Sequence, residues 1–145
     1  MNDRFATVNG VRLHFVETGQ GPPVVLLHGF PEFWYSWRHQ LPALASAGLQ
    51  AFALDLLGYN QSDRPTAIKA YRLDNLIRGL ADFIRVVIGT PAFVVGHDWG
   101  GVLAWRLAAL HPDLVSKLAI LKLRTPLPIR PCFAAVLTSG SGHGT

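Results

Sequence analysis

The chain has 145 residues, half of them apolar and only 15% charged, which allows one domain with a real core and excludes an intrinsically disordered chain. Its formal charge of +4 comes from scattered Arg and Lys with no basic stripe or aromatic platform, so nothing supports a nucleic-acid partner. No apolar run reaches the ~18 residues of a membrane helix. Met1-Asn2-Asp3-Arg4 lacks the basic-then-apolar layout of a signal peptide, which predicts a cytoplasmic protein. The single Cys132 excludes an internal disulfide, no cluster has metal-ligand spacing, and neither a metal nor a cofactor is expected.

Taken in order, Thr7-Val8-Asn9-Gly10-Val11-Arg12 places Asn-Gly between two alternating runs. That predicts a hairpin, because a type I′ turn needs positive φ at both central positions. Val11 to Val16 forms the second strand of that hairpin. Pro23 to His28 is a continuous apolar run, as expected of a strand covered on both faces. The loop His28-Gly29-Phe30-Pro31-Glu32 follows. Gly29 permits close backbone approach and Pro31 removes a donor, leaving the Phe30 N–H free to face a cleft. Two readings of this loop stand: one arm of an oxyanion hole, or a strand-to-helix loop whose aromatics pack. His28, at the strand end, reads as a buried, hydrogen-bonded structural histidine.

Trp37 to Ala47 is predicted as a helix stopped by Gly48, and Leu49 to Leu54 as a further strand. The polar loop from Asp55 to Pro65 comes next. Asp55 is expected to tie it together, and Asp63 with Arg64 to form a local ion pair or solvated charges. Leu73 to Ile88 carries a helical apolar stripe opposed by Arg72, Asn75, Arg78, Asp82 and Arg85, and Gly89 with Pro91 ends it. The next helix ends near His111-Pro112, and Val115 to Leu123 supplies the last strand. Buried strands alternating with helices imply an α/β fold: a three-layer, mostly parallel sheet with an N-terminal antiparallel hairpin.

Ala92 to Leu103 is the most informative stretch. An apolar strand reaches Gly96, helical spacing begins at Gly100, and Gly96-His97-Asp98-Trp99-Gly100 lies between them. Gly-x-Asp-x-Gly has the form of a nucleophile elbow with Asp in the central position. A sharp strand-to-helix bend leaves no room for neighbouring Cβ atoms, which accounts for the glycines. The other reading is an ordinary turn in which Asp98 caps the helix. The elbow and the loop after Leu27 both fall at the carboxyl edge of the sheet, where such sheets bind ligands.

Composition changes at Arg124. Residues 1–123 keep the strand-and-helix rhythm, whereas residues 124–145 hold Pro126, Pro128 and Pro131, an apolar patch from Phe133 to Leu137, and a Ser/Gly tail expected to be disordered or non-native. His143 in that tail has no means of being positioned as a base.

The motifs His28-Gly29-Phe30-Pro31-Glu32, Trp34-Tyr35-Ser36-Trp37-Arg38, Gly58-Tyr59, Ser62-Asp63 and Gly96-His97-Asp98-Trp99-Gly100-Gly101 together resemble the epoxide hydrolases of the α/β-hydrolase superfamily, over roughly Phe5 to Leu121. Haloalkane dehalogenases share the Asp-Trp elbow but more often carry Asn or Glu where Phe30 stands. Fluoroacetate-type dehalogenases follow the nucleophile with Arg, where this chain has Trp99. Ser-dependent esterases are disfavoured by Asp98 itself. The resemblance implies that Asp98 is the nucleophile and that the backbone N–H groups of Phe30 and Trp99 form the oxyanion hole. It implies substrate contacts from Phe30, Pro31, Trp34 and Trp99, with His28, Gly29, Gly96, His97, Gly100 and Gly101 as structural motif residues. The partner it implies is a small molecule, an epoxide or alternatively an alkyl halide.

In that family, two cap tyrosines and a His–acid pair come from later parts of the fold that have no counterpart in this sequence. The expectation is therefore the first half of such a hydrolase, truncated or frame-shifted and unable to turn over fully. The alternative is a non-catalytic binding module on a half-fold. Ending near Leu123, the last strand is expected to be an unprotected sheet edge that promotes self-association.

Overall fold

In the computed structural model, which describes residues 1–121 and 134–138, Asn9 and Gly10 both take positive φ (52° and 75°). They turn β1 (Asn2–Val8) back onto β2 (Val11–Thr18) in register Val8 to Val11, as the Asn-Gly pair predicts. Five further strands follow: β3 (Pro23–Leu27), β4 (Gln50–Leu54), β5 (Ala92–His97), β6 (Val115–Leu121) and β7 (Ala134–Thr138). They form one sheet in the order β1-β2-β4-β3-β5-β6-β7. The central β4, β3, β5 and β6 are mutually parallel, while β1, β2 and β7 run antiparallel at the flanks.

β3 sits in the middle, and Val24 to Leu27 are each at most 1% exposed. Its side chains alternate between two cores. Val25 and Leu27 pack with Phe15, Leu54, Phe83, Val94 and Leu103, whereas Val24 and Leu26 pack with Val16, Trp37, Leu41 and Ala53. Helices α2 (Leu73–Phe83) and α3 (Trp99–Leu110) contribute to the first core, and α1 (Gln40–Ser46) to the second. This is the expected three-layer α/β arrangement, with helices on both faces of the sheet.

The helices differ from expectation at their ends. In place of a helix from Trp37, a 3-10 turn (Trp34–Trp37) precedes α1, which starts only at Gln40. Pro42 sets that start, because a residue without an N–H is tolerated in a first turn and not in an interior one. At the other helix, residues Ile84–Ile88 widen into a π-helical turn, which the Gly89 N–H closes onto the Ile84 carbonyl at 2.7 Å, with Gly89 at φ 78°.

One expectation is corrected outright. β6 is not a free edge, because β7 pairs antiparallel along it from Leu121–Ala134 to Lys117–Thr138. The five residues of β7 satisfy the outer backbone groups of β6, and the sheet edges are β1 and β7. This strand lies inside the segment expected to be a tail; residues 122–133 and 139–145, including Cys132 and His143, lie outside the described residues.

Candidate active site

Because β3 and β5 are adjacent and parallel, with Leu27 beside Gly96, the loops leaving their C-terminal ends open at the same edge of the sheet. At the end of β5 the chain bends into α3 at Asp98, whose φ of 55° and ψ of −121° lie outside the ordinary regions for a side-chain-bearing residue. Such a conformation costs about 1–3 kcal/mol and persists only where the surroundings impose it. Here they do. A Cβ on Gly100 would run into the carbonyls of Leu27 and His28, and one on Gly96 into the carbonyl of Gly100. Gly101 is less constrained, its Cβ position lying 3.2 Å from Ile120 Cγ2.

Asp98 occupies the cap position of α3, yet its side chain makes no capping hydrogen bond. Its Oδ2 instead accepts the Phe30 N–H at 3.0 Å. Of the two readings of the Gly-x-Asp-x-Gly bend, the helix cap is the one that fails. Gly29 makes the approach possible, since a Cβ there would stand 2.8 Å from Oδ2. The Glu32 N–H closes the loop onto the Gly29 carbonyl at 2.8 Å, and Pro31 follows Phe30 through a cis peptide. The Phe30 ring is 70% exposed and stands at the rim. Trp99 is the first residue of α3, so its N–H is one that the helix itself cannot use.

His28 is fully buried, as expected of a structural histidine. Its Nδ1 lies 2.9 Å from the Gly29 carbonyl, and its Nε2 accepts the Leu56 N–H at 3.0 Å. These partners fix the tautomer: Nδ1 carries the proton and Nε2 accepts. Burial holds the imidazole pKa below its ordinary value, opposed by the Gly29 carbonyl and more weakly by the Asp55 and Glu32 carboxylates.

Asp55 is also fully buried and ties its loop together as expected. It takes His14 Nδ1 at 2.6 Å, the Trp34 N–H at 2.9 Å and Asn60 Nδ2 at 2.9 Å. The other ring nitrogen of His14 lies 2.9 Å from Asp3 Oδ1. Asp63 and Arg64 do not pair with each other. Asp63 Oδ2 accepts the Arg12 N–H of β2 at 2.8 Å, whereas Arg64 Nη2 donates within its own loop to the Asn60 carbonyl at 3.2 Å.

Asp98 opens on a cavity of about 440 Å³ formed with Phe30, Tyr59, Trp99 and Val102. A larger cavity of about 830 Å³ shares Phe30, Tyr59 and Trp99 and extends between the sheet and α2 over Leu54, Leu56 and Leu80. The Asp98 carboxylate lines the smaller one. Pro31 and Trp34, expected at the substrate, line neither cavity. Trp34 is held by its N–H to Asp55, and its indole packs against the core beneath α1. His97 places Nδ1 3.8 Å from Glu32 Oε2, with both side chains about one-third exposed.

Tyr59 was not singled out from the sequence as a site residue. It lines both cavities and meets the His28 ring edge-on at 4.8 Å. Burial, and then the Asp98 charge, push its phenol pKa up. The available signal was its place in the loop after β4, at the same sheet edge. Among the described residues, no group of three His, Cys, Asp or Glu side chains is placed to hold a metal ion, and no helix is long and apolar enough to cross a membrane.

A profile of the alpha/beta hydrolase fold matches residues 22–138. The chain belongs to the α/β-hydrolase family. Among its curated relatives, bifunctional epoxide hydrolase 2 of Sus scrofa is 48% identical over 84% of this chain and 22% of its own length. Epoxide hydrolase B of Mycobacterium tuberculosis is 49% identical over 76% of this chain and 32% of its own. Among solved structures, an epoxide hydrolase from Vigna radiata superposes with a TM-score of 0.79 at 39% identity, over 90% of this chain and 42% of that one. One from an endophytic Streptomyces gives 0.78 at 45% identity, over 88% and 38%. This α/β-hydrolase chain thus spans less than half the length of these relatives, and the residues matched by the profile contain both the Phe30 loop and the Asp98 bend.

Proposed function

We propose that this chain carries the nucleophile half of an epoxide-hydrolase-like site. The observation that supports it most directly is the Phe30 N–H directed at Asp98 Oδ2 from 3.0 Å, on a bend that holds the carboxylate at the mouth of a cavity. The names of the relatives support the substrate class. A carboxylate suits attack on an alkyl carbon, because it stays charged at neutral pH and makes an ester that can later be cleaved. An Asp98 oxygen would bond to one epoxide carbon while the ring C–O bond breaks, and the departing oxygen would take a proton to become the neighbouring hydroxyl. Water attacking the ester carbonyl would place negative charge on its oxygen, which the Phe30 and Trp99 N–H groups would hold.

We assign the water-activating base to none of the described histidines. His14 and His28 are buried in hydrogen bonds of their own, His97 faces Glu32, His111 ends α3, and His39 is exposed. The proposal for this chain is therefore the first step, alkylation of Asp98. Incubation with styrene oxide and intact-mass measurement tests it: one added styrene oxide mass is expected, mapping to Asp98 and missing in Asp98→Asn. A folded protein that acquires no adduct from styrene oxide would overturn the reading in favour of a binding module. An adduct from 1-chlorobutane alone would transfer the site to the dehalogenases.

A further inference from the structure

The peptide unit joining Gly29 to Phe30 is held at both ends. Its N–H faces Asp98 Oδ2 at 3.0 Å, and its carbonyl meets His28 Nδ1 at 2.9 Å. The imidazole is itself pinned, since Nε2 accepts the Leu56 N–H at 3.0 Å just past the end of β4. We propose that His28 is a positioning residue for the Asp98 site, which sets the orientation of the Phe30 N–H by gripping the opposite end of the same planar peptide. Because the peptide is flat, fixing the direction of its carbonyl fixes the direction of its N–H.

The Glu32 N–H also reaches the Gly29 carbonyl, at 2.8 Å, so this oxygen takes two donors. The grip works in one protonation state only. A proton on Nε2 would oppose the Leu56 N–H, donor against donor. The groups facing the ring are the Asp55 and Glu32 carboxylates and the edge-on Tyr59 ring. Burial outweighs the carboxylates and keeps the ring neutral, with Nε2 free to accept.

The role rests on Asp98 being the nucleophile only for its kinetic consequence; the orientation itself is read by NMR without any reaction. In the unmodified protein, the imidazole nitrogens should show a protonated, pyrrole-type Nδ1 and a pyridine-type Nε2 at His28. The reverse tautomer would overturn the proposal with no variant required. In His28→Asn, whose Nδ2 can still donate to the Gly29 carbonyl, the Phe30 amide proton should keep its downfield, carboxylate-bonded shift. In His28→Leu, which keeps the volume and loses the donor, that shift should collapse, and alkylation of Asp98 by styrene oxide should slow about tenfold, a fraction of what deleting such a donor outright costs. An unchanged Phe30 shift in the Leu variant would show that packing alone holds the loop. If the shift collapses in Leu and persists in Asn while no variant is alkylated, the positioning stands and the nucleophile assignment falls.

Discussion

The bend after β5 and the loop after β4 reach the same edge of the sheet and are held there by opposite means. The bend is held by crowding: Gly96 and Gly100 press against carbonyls, and Asp98 is left in a conformation it would not choose. The loop after β4 is held by polar pairing, with Asp55 buried at its root and joined to His14, Trp34 and Asn60. Crowding fixes one residue through its backbone, and its carboxylate takes the Phe30 N–H in addition. Pairing fixes a whole loop and consumes its polar atoms. Two carboxylates can therefore stand at the ends of parallel strands of one sheet, β5 and β4 with β3 between them, and be held by different means.

Breaking the paired loop should have the larger effect. Asp55→Ala leaves the buried His14 ring and the Trp34 N–H without their acceptor, and removing one member of a buried polar pair costs about 3–5 kcal/mol. Chemical denaturation should show a midpoint lowered to match, or no cooperative transition at all. A loss under ~1 kcal/mol would mean that water replaces the carboxylate there, and the contrast would fail. Breaking the crowded bend should cost somewhat less. Gly100→Ala pushes a methyl into the Leu27 and His28 carbonyls, which are backbone at the end of β3, at about 3 kcal/mol. The same denaturation measurement reads it.

This difference also decides what the sequence disclosed. Steric crowding leaves a mark in one dimension, because only glycine fits and the glycines stand at fixed offsets from Asp98. The hairpin and the buried β3 were legible for the same kind of reason, Asn9-Gly10 demanding positive φ and Val24 to Leu27 demanding cover on both faces. Polar pairing joins residues far apart in the chain, His14 with Asp55 and Leu56 with His28, and no local pattern announces such partners. Tyr59 was missed on those grounds, and the packing of Trp34 against the second core was not legible, because an aromatic beside a site motif does not reveal which face of the sheet it packs on. β7 escaped because its five residues lie between a proline-rich run and a Ser/Gly tail, and only pairing with β6 makes them a strand.

His28 gives the contrast a pH dependence. Its native pKa lies below the 6.5 of a free imidazole, so as pH falls the unfolded chain binds the proton first. The contribution to stability is complete above about pH 6.5 and declines as pH drops below it towards the lower native value. Urea midpoints at pH 7.5 and 5.5 should therefore differ, with the lower pH less stable. The difference should shrink in His28→Asn, which has no imidazole to titrate. A midpoint that does not move in the unmodified protein would show that the ring is protonated at little cost.

The smallest effect should come from a glycine that nothing crowds. Gly79 lies inside α2, at the wall of the larger cavity, and a Cβ there meets no atom within 4 Å. Glycine in a helix interior costs about 0.8–1 kcal/mol relative to alanine, through the backbone freedom it loses on folding. Gly79→Ala should therefore stabilise the protein by up to ~1 kcal/mol, read as a raised denaturation midpoint. The same exchange of a hydrogen for a methyl thus changes sign between residues 79 and 100, because one methyl enters space and the other enters backbone. If both variants were destabilised alike, the glycines of the elbow would be doing nothing that a helical glycine does not, and the account of Asp98 as a residue held by crowding would lose its physical basis.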